Sequence, residues 1–336
     1  MFFPASVLRT AVLLWLASEI NPADCRKHVP PAVTQVYQYP DDTWIENLAI
    51  LSSRHLLLTA FNIGSGSAAK LLTIDPDSVN PTPHVIAKLG NATALTGISA
   101  LPGNRYAISG GEYGTFAFVN GTMSLFIVSI KGNPPTGSVI DAIPVPDTLM
   151  MNGMVAVPSQ PFTVLSADGV GGRILRINTR TRQVDVTWAD PSLLGPGGNT
   201  ALPVGVNGLR IRHGWLYFTN SGQGLFARVR IDRAGNKVGS EVQIIAKLTG
   251  PVDLTNAFDD FDLSSDGAAY VALEGSSILK FTSRGVQTTL VAGGQGSAVV
   301  VKTPTSVAVE DDGRMLYVTT GGGQVLRVDL KPLKSN

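Results

Sequence analysis

Short stretches of alternating apolar and polar residues recur along the chain, and each is followed by a turn and a second apolar stretch. The copies span residues 45–59, 96–109, 151–165, 206–221, 258–272 and 304–320. Alternation with a period of two is typical of a half-buried strand, and two such strands joined by a tight turn indicate a β-hairpin. The pattern therefore predicts six hairpins spread along the chain.

The hairpins recur at a regular interval. With Glu46, Gly97, Asn152, Asn207, Asp259 and Thr305 taken as equivalent positions, the interval is 46 to 55 residues. A third and a fourth apolar stretch follow the hairpins, for example at 173–178 and 243–248. A period near fifty with four strands per unit is typical of a propeller blade. We therefore expect an all-β fold, a six-bladed β-propeller with four-stranded blades.

The two ends of the repeat array predict how the ring closes. The last unit ends near residue 330 with three strands, and residues 34–39 form a spare strand ahead of the first unit. Pairing the two would remove the open sheet edges of an unclosed array. A β-solenoid or a pair of sandwiches fits less well, because their repeats are shorter or lack two hairpins per unit. The 36 glycines and 21 prolines suit the many turns.

The N-terminus has the pattern of a secretory signal peptide. One arginine precedes a short apolar stretch at 11–17 and then small residues, and that stretch is too short to cross a bilayer. We expect residues 1–23 to be a signal peptide and 24–336 a single propeller domain in the secretory pathway or outside the cell, without a membrane segment. A buried N-terminal helix fits less well, because Asn21-Pro22 follows at once.

Secretion would make two sequons relevant. Asn91 and Asn120 each begin an Asn-x-Thr triplet and are expected to be glycosylated in a eukaryotic secretory pathway. The single cysteine, Cys25, excludes an intramolecular disulfide. The formal net charge is +1 and the basic residues are scattered, which argues against a nucleic-acid partner. We expect a small-molecule substrate and a monomer or weak oligomer.

Polar residues begin the first strand of each predicted blade. In a propeller these strands line the central channel, so their first residues converge at one mouth of it. The converging set is Glu46, Asn47, Thr96, Asn152, Asn207, Asp259, Asp260, Thr305 and Ser306. Each residue alone could instead shape a turn or cap backbone amides. The set as a whole predicts a small-molecule site at the channel mouth.

These residues carry a resemblance. Glu46, Asn152-Gly153, Asn207-Gly208-Leu209, the 216–221 strand and Asp259 resemble the superfamily of senescence-marker protein 30, gluconolactonases and strictosidine-synthase-like propellers. In its calcium-dependent lactonases the metal ligands would correspond to Glu46, Asn152, Asn207 and Asp259. Carboxylate and amide oxygens of this kind suit Ca²⁺. Ile45, the run 47–49 and Asp260 depart from the lactonase pattern, which weakens the implication of lactone hydrolysis.

A second resemblance covers the start of the array. Residues Val36 to Pro40 and Thr43 to Ala49 resemble a fungal group of secreted-type propellers. Members of that group in tropolone-meroterpenoid pathways are hetero-Diels–Alderases, which join a tropolone o-quinone methide to humulene. The resemblance implies a pericyclase, which needs no cofactor and works by holding two partners together and by a hydrogen bond to the oxygen that gains charge.

On this hypothesis the catalytic residues are Glu46, Asn152, Asn207, Asp259 and Asp260. Substrate contacts are expected from Trp44, Asn47, Tyr113, Asn220, Phe258 and Thr305. A Ca²⁺-dependent lactonase and a non-catalytic binding propeller are the alternatives. No nucleophile elbow, zinc-protease helix or P-loop motif is present in the sequence.

Overall fold

The computed structural model describes residues 31–40, 43–61, 67–115, 117–196, 202–294 and 299–330. From Pro31 onward the chain forms one compact unit. The expected signal peptide and Cys25 lie outside the described residues. Within the described ranges, no helix has the length and apolar character needed to cross a membrane.

Described residues form 24 strands, and every hydrogen-bonded pair of strands is antiparallel. In the first half of the chain they are β1 (Val33–Gln38), β2 (Trp44–Ile50), β3 (Leu56–Phe61), β4 (Lys70–Ile74), β5 (His84–Lys88), β6 (Ala94–Leu101), β7 (Arg105–Gly111), β8 (Ser124–Lys131), β9 (Thr136–Pro144), β10 (Met151–Ala156), β11 (Thr163–Asp168), β12 (Arg173–Asn178) and β13 (Val184–Ala189).

The second half continues the same four-strand rhythm, after a short 3₁₀ turn at Pro191–Leu193. Its strands are β14 (Val206–Arg212), β15 (Trp215–Asn220), β16 (Leu225–Arg230), β17 (Gln243–Lys247), β18 (Phe258–Leu263), β19 (Ala269–Leu273), β20 (Ser277–Phe281), β21 (Gln287–Ala292), β22 (Pro304–Val309), β23 (Met315–Thr320) and β24 (Gln324–Asp329).

Consecutive strands pair in groups of four. The groups β10–β13, β14–β17 and β18–β21 are separate sheets, whereas β2–β5 and β6–β9 are joined by one pair, Phe61 with Ala94. The last sheet has the order β1-β24-β23-β22, with Val33 opposite Val328 and Gln38 opposite Gln324. This confirms the predicted ring closure, in which the N-terminal strand completes the last sheet. The predicted all-β fold is also confirmed.

Neighbouring sheets pack face to face through apolar clusters. Between β14–β17 and β18–β21, the rings of Phe226 and Phe261 lie 5.0 Å apart and those of Phe226 and Phe281 lie 5.3 Å apart. These side chains are at most 2% exposed. Burying a side chain of this size stabilises the fold by about 1.5–3 kcal/mol. Repeated around the ring, such interfaces hold the sheets together without a disulfide in the described part of the chain.

The innermost strand of each group carries an irregularity in its pairing at the predicted polar positions. The register shifts between Ile45 and Asn47, Leu95 and Ile98, Met151 and Met154, Val206 and Leu209, Phe258 and Phe261, and Pro304 and Ser306. A bulge lets two consecutive side chains escape the alternation of a regular strand. Both residues of a polar pair such as Asp259-Asp260 can therefore face the axis.

Hydroxyl groups satisfy the backbone that the bulges leave unpaired. Thr219 Oγ1 accepts a hydrogen bond from the Gly208 amide at 2.8 Å. Thr96 Oγ1 donates to the Met151 carbonyl at 2.7 Å, and Thr305 Oγ1 donates to the Ile45 carbonyl at 2.6 Å, so each joins two sheets. The structure makes Thr96, rather than Gly97, the equivalent of Glu46, because the bulged pair of that strand is Thr96-Gly97.

Three glycines permit the innermost strands to approach one another. A Cβ on Gly97 would lie 2.1 Å from the Asn152 carbonyl oxygen, and one on Gly153 would lie 2.5 Å from the Asn207 carbonyl oxygen. A Cβ on Gly208 would lie 2.3 Å from Asp260 Oδ1. The central packing thus requires glycine at these positions, because most of the opposing atoms belong to backbone.

We predict that Gly153→Ala destabilises the fold by about 3 kcal/mol, the upper range for overpacking, because neither backbone can yield without moving its sheet. Gly294→Ala is the control, since its nearest atom would be the flexible Ser276 hydroxyl at 3.8 Å. Urea unfolding of both variants measures the difference. Equal stability of the two variants would contradict this account of the central packing.

Candidate functional site

Three buried carboxyl groups lie at the end of the axis where the innermost strands begin. Glu46 is on β2, Asp259 is on β18, and Glu274 directly follows β19. They are 7%, 4% and 7% exposed. We call Glu46, Asp259 and Glu274 the carboxyl cluster. Glu274 was not predicted from the sequence.

Each member of the carboxyl cluster has a limited set of partners. Trp44 Nε1 donates to Glu46 Oε2 at 2.6 Å. Asn207 Nδ2 donates to Asp259 Oδ1 at 2.7 Å and to Ser221 Oγ at 2.9 Å. Asn207 Oδ1 and Glu274 Oε2 are buried and have no hydrogen-bond partner among the described residues. Buried polar atoms are normally satisfied, so these two oxygens indicate a place for a ligand, an ion or a proton.

Burial raises the pKa of all three carboxyl groups. It raises the pKa of Glu46 to about 7, opposed by the Trp44 hydrogen bond and assisted by the charge of Asp260. Burial, with the nearby Glu46, raises the pKa of Glu274 to about 8. The pKa of Asp259 is raised well above its usual value by burial and by Glu46, Glu274 and Asp260. The cluster therefore holds protons near neutral pH, and it titrates as a unit.

An aromatic wall adjoins Glu46. The Phe61 ring lies 6.5 Å from Trp44, 5.2 Å from Tyr113 and 5.8 Å from Phe118, measured between centroids. Trp44 lies against the backbone of Gly321, where a Cβ would come within 2.7 Å of its ring. Burial and the neighbouring Glu46 raise the pKa of Tyr113. An apolar surface thus stands beside groups that can donate and accept protons.

A polar plug fills the axis next to the carboxyl cluster. Asn47 Nδ2 donates to Asp260 Oδ2 at 2.8 Å, and Ser306 Oγ lies 3.2 Å from the same oxygen. Arg210 forms an ion pair with Asp260 at 3.3 Å and with Asp262 at 3.2 Å. Asp260 is thus held in the plug by Asn47, Ser306 and Arg210, and its predicted catalytic role stays a prediction.

Beyond the plug, at the opposite end of the axis, lies a cavity of about 740 Å³. Ile98, Met154, Arg210, Asp262 and Glu310 are among the residues that line it.

The structure places the expected site residues in different environments. Glu46, Asn207, Asp259, Trp44 and Tyr113 meet at or beside the carboxyl cluster. Asn152 is 2% exposed on the inner strand β10, and Asn47 joins Asp260 in the plug. These residues stay candidates for the roles predicted from the sequence.

Three expected substrate contacts are used elsewhere in the fold. Asn220 is fully buried, donates to the Ser192 and Leu194 carbonyls at 2.8 Å and accepts from the Gln223 amide. Phe258 is fully buried against Phe281, with centroids 6.3 Å apart. Thr305 is buried and holds the Ile45 carbonyl. Their sequence positions at strand ends indicated exposure, but neighbouring elements cover them.

The repeat could have identified Glu274 as a candidate site residue. It occupies the position that Ser221 occupies in the preceding group, one residue beyond the second strand. Ser221 accepts a hydrogen bond from Asn207, so this position borders the site in both groups. The expected glycosylation acceptors Asn91 and Asn120 lie in exposed turns, and their modification stays a prediction.

The residues at the site fit Ca²⁺ only in part. The donors are all oxygen, and the unpartnered Asn207 Oδ1 is the kind of ligand that Ca²⁺ accepts. Within the described ranges, however, no group of three or more acidic, histidine or cysteine side chains is arranged to hold a metal ion. The set Glu46, Asn152, Asn207 and Asp259 has only two carboxyl groups beside two amides.

Comparison of sequences identifies two relatives, while no family model matches. The chain is similar to a candidate hetero-Diels-Alderase from Phoma sp, with 25% identity over 84% of this chain and 85% of the relative. A candidate hetero-Diels-Alderase of Sarocladium schorii, asR5, is 22% identical over 60% of this chain and 54% of the relative.

Comparison of structures identifies propellers of the gluconolactonase type. A gluconolactonase from Xanthomonas campestris matches with a TM-score of 0.59 and 13% identity, over 90% of each chain. The calcium-binding protein regucalcin from Agrobacterium tumefaciens matches with a TM-score of 0.57 and 16% identity, over 89% of this chain and 93% of the other. The chain has the β-propeller fold that these structures share. Its relatives in sequence carry the name hetero-Diels-Alderase.

We predict that stability in chelator-containing buffer falls as pH rises from about 4.5 to about 8. The folded protein holds the Glu274 proton to about pH 8, whereas the ordinary value is 4.5, so this stability is complete below 4.5 and is lost through 8. Glu274→Gln should flatten the slope and raise stability at pH 9 by up to about 5 kcal/mol, because one pKa unit corresponds to about 1.4 kcal/mol. Urea unfolding at a series of pH values measures the free energy of unfolding of both proteins.

The exposed Glu241→Gln variant is the control for removing one carboxylate. It should keep the slope of the unmodified protein. A slope that Glu274→Gln leaves unchanged would show that this carboxyl ionises normally in the folded protein.

Proposed function

We propose that this protein is a hetero-Diels–Alderase that joins a tropolone o-quinone methide to a humulene-type terpene at the carboxyl cluster. The observation that carries the proposal is the position of three proton-holding carboxyl groups beside an aromatic wall. The names of the two relatives support the same reaction class. An enzyme of this kind needs no cofactor for the bond-forming step.

The first step forms the diene from a hydroxymethyl tropolone. One protonated carboxyl of the cluster donates its proton to the leaving hydroxyl, which departs as water. An ionised carboxyl accepts the proton of the ring hydroxyl, and the o-quinone methide results. Glu46 suits one of these roles, because a pKa of about 7 leaves both protonation states populated near neutral pH.

The second step joins the o-quinone methide to an alkene of the terpene. The four-atom C=C–C=O unit adds across the alkene, so that one C–C and one C–O bond form while no atom is lost. A carboxyl O–H or the Asn152 amide would stabilise the oxygen that gains charge. Trp44 and Tyr113, which are partly exposed and packed on the buried Phe61, would provide an apolar surface for the hydrocarbon and hold the two partners together.

We also propose that the chain enters the secretory pathway and is released or kept in a vesicular compartment. The exposed positions of Asn91 and Asn120 support glycosylation there. We further propose that the protein works as a monomer or weak oligomer on a small-molecule substrate.

We predict that a Glu46→Gln, Asn207→Ala double variant loses dehydration and cyclisation by at least about 100-fold, the usual contribution of a positioned acid or base. The assay supplies a hydroxymethyl tropolone with humulene and measures the yield and enantiomeric excess of the adduct. Exposed Glu241→Gln is the control and should retain full activity. Full activity of the double variant would contradict the proposal.

A second assay separates the two steps. Heat generates the o-quinone methide without the enzyme-catalysed dehydration step. The Glu46→Gln variant should then form the adduct with enantiomeric excess, because its aromatic wall is intact. Racemic adduct from the unmodified protein under the same conditions would show that the protein does not hold the two partners.

A Ca²⁺-dependent lactonase is the second candidate, favoured by the unpartnered Asn207 Oδ1 and the oxygen-rich donor set. Bound Ca²⁺ would polarise a lactone carbonyl or activate water, and Glu46, Asn152, Asn207 and Asp259 would hold it. A non-catalytic binding propeller is the remaining alternative and predicts ligand binding without turnover.

We predict that cyclisation persists after treatment with a chelator and that the protein does not hydrolyse an aldonolactone with or without added Ca²⁺. Lactone hydrolysis that is lost in chelator and restored by Ca²⁺ would instead favour the lactonase. Metal analysis of the chelator-free protein provides the independent check.

A further inference from the structure

Arg228, on β16, is a partly buried cation without a carboxylate partner among the described residues. By contrast, Arg173 pairs with Asp168 at 2.7 Å, and Arg210 pairs with Asp260. An arginine kept from water without a counter-charge is unfavourable unless another group offsets it. Its surroundings therefore indicate what it binds.

Three groups fix the guanidinium of Arg228 in one orientation. Its Nε donates to Gln243 Oε1 at 3.1 Å, and its Nη1 donates to the Tyr217 hydroxyl at 3.0 Å. The Cζ atom of Arg228 lies 4.3 Å from the centroid of the Trp215 ring. A guanidinium has five N–H donors, and these contacts use two of them. The groups that hold the guanidinium are an amide, a hydroxyl and an aromatic ring, so none of them is an anion.

The guanidinium faces a cavity of about 300 Å³ between the β14–β17 and β18–β21 sheets. Arg228 and Arg284 are the charged residues among its lining groups, and no acidic residue lines it. Tyr217, Ile245 and Leu263 are partly exposed apolar side chains on its wall. Arg230 lies over Trp215 as well, at 4.1 Å, so it adds positive potential nearby.

The cavity is separate from the carboxyl cluster. It lies where β18 ends and β19 begins, as the lining residues Leu263 and Ala269 show. The carboxyl cluster lies at the opposite end of those strands, with Asp259 near the start of β18 and Glu274 after the end of β19. A ligand in this cavity would therefore not contact the proposed reaction site.

We propose that this cavity is a second binding site, for a small organic anion with an apolar body, such as an aryl or alkyl carboxylate. The anionic group would receive two parallel N–H donors from Arg228, the arrangement in which arginine binds carboxylates most strongly. Its apolar body would lie against Tyr217, Ile245 and Leu263. The anion would supply the carboxylate partner that Arg228 lacks among the described residues.

The test uses 3-phenylpropanoate as the probe and 3-phenylpropanamide as its neutral counterpart, titrated calorimetrically into the full chain. The carboxylate should bind saturably, and both the amide and the Arg228→Gln variant should show binding at least about tenfold weaker, the loss expected for a charge-assisted pair. Arg314→Gln removes an equal charge far from the cavity, beside Asp312, and should bind like the unmodified protein.

Thermal unfolding and circular dichroism of both variants establish that they fold. Absence of saturable binding, equal affinity for acid and amide, or equal weakening by Arg228→Gln and Arg314→Gln would each overturn the proposal. Saturation-transfer NMR with Tyr217→Ala, which removes one wall, should show reduced contact to the phenyl ring, and unchanged contact would likewise overturn it.

Discussion

The close approach of the innermost strands around one axis is the constraint on which the site depends. Three groups meet it with glycine at the second bulge position, namely Gly97, Gly153 and Gly208. The space so released is filled from the other three groups by Asn47, Asp260 and Ser306, which bond to one another. The axis is thus asymmetric in chemistry although the strands repeat, and one polar plug results.

The plug determines the electrostatics above it. Arg210 compensates Asp260 and Asp262, so its charge is used within the plug. The carboxyl cluster has no cation of its own among the described residues, and it is shielded from water. Burial together with mutual repulsion therefore favours protonated carboxyls over three adjacent anions. This arrangement offers acid and base forms of the same residue type within one site, next to an apolar wall.

The sequence predicted the fold well because the repeat was expressed in strand alternation and turn spacing, which are local properties. The positions of Glu46, Asn207 and Asp259 followed from the same repeat. Phe258 and Asn220 could not be placed, because their burial depends on neighbouring sheets and on the turn at Pro191–Leu193.

The bulges explain two further differences. The sequence predicts Gly97 as the equivalent of Glu46, whereas the bulged pair Thr96-Gly97 makes Thr96 its equivalent. The bulges also place Asp259 in the carboxyl cluster and Asp260 in the plug. The sequence does not predict that these two adjacent aspartates have different partners. Glu274 was not predicted because it follows the second strand of its group, whereas the predicted catalytic residues all lie at the start of first strands.

The most direct measurement is the titration of the carboxyl carbons of labelled aspartate and glutamate by NMR in the chelator-treated protein. We expect buried carboxyl groups that remain protonated at neutral pH. The apparent pKa values of the cluster should lie near about 7 for Glu46 and about 8 for Glu274. The Glu46→Gln and Glu274→Gln variants would assign them. If every glutamate and aspartate instead ionised in its ordinary acidic range, the central claim of a proton-holding site would be contradicted.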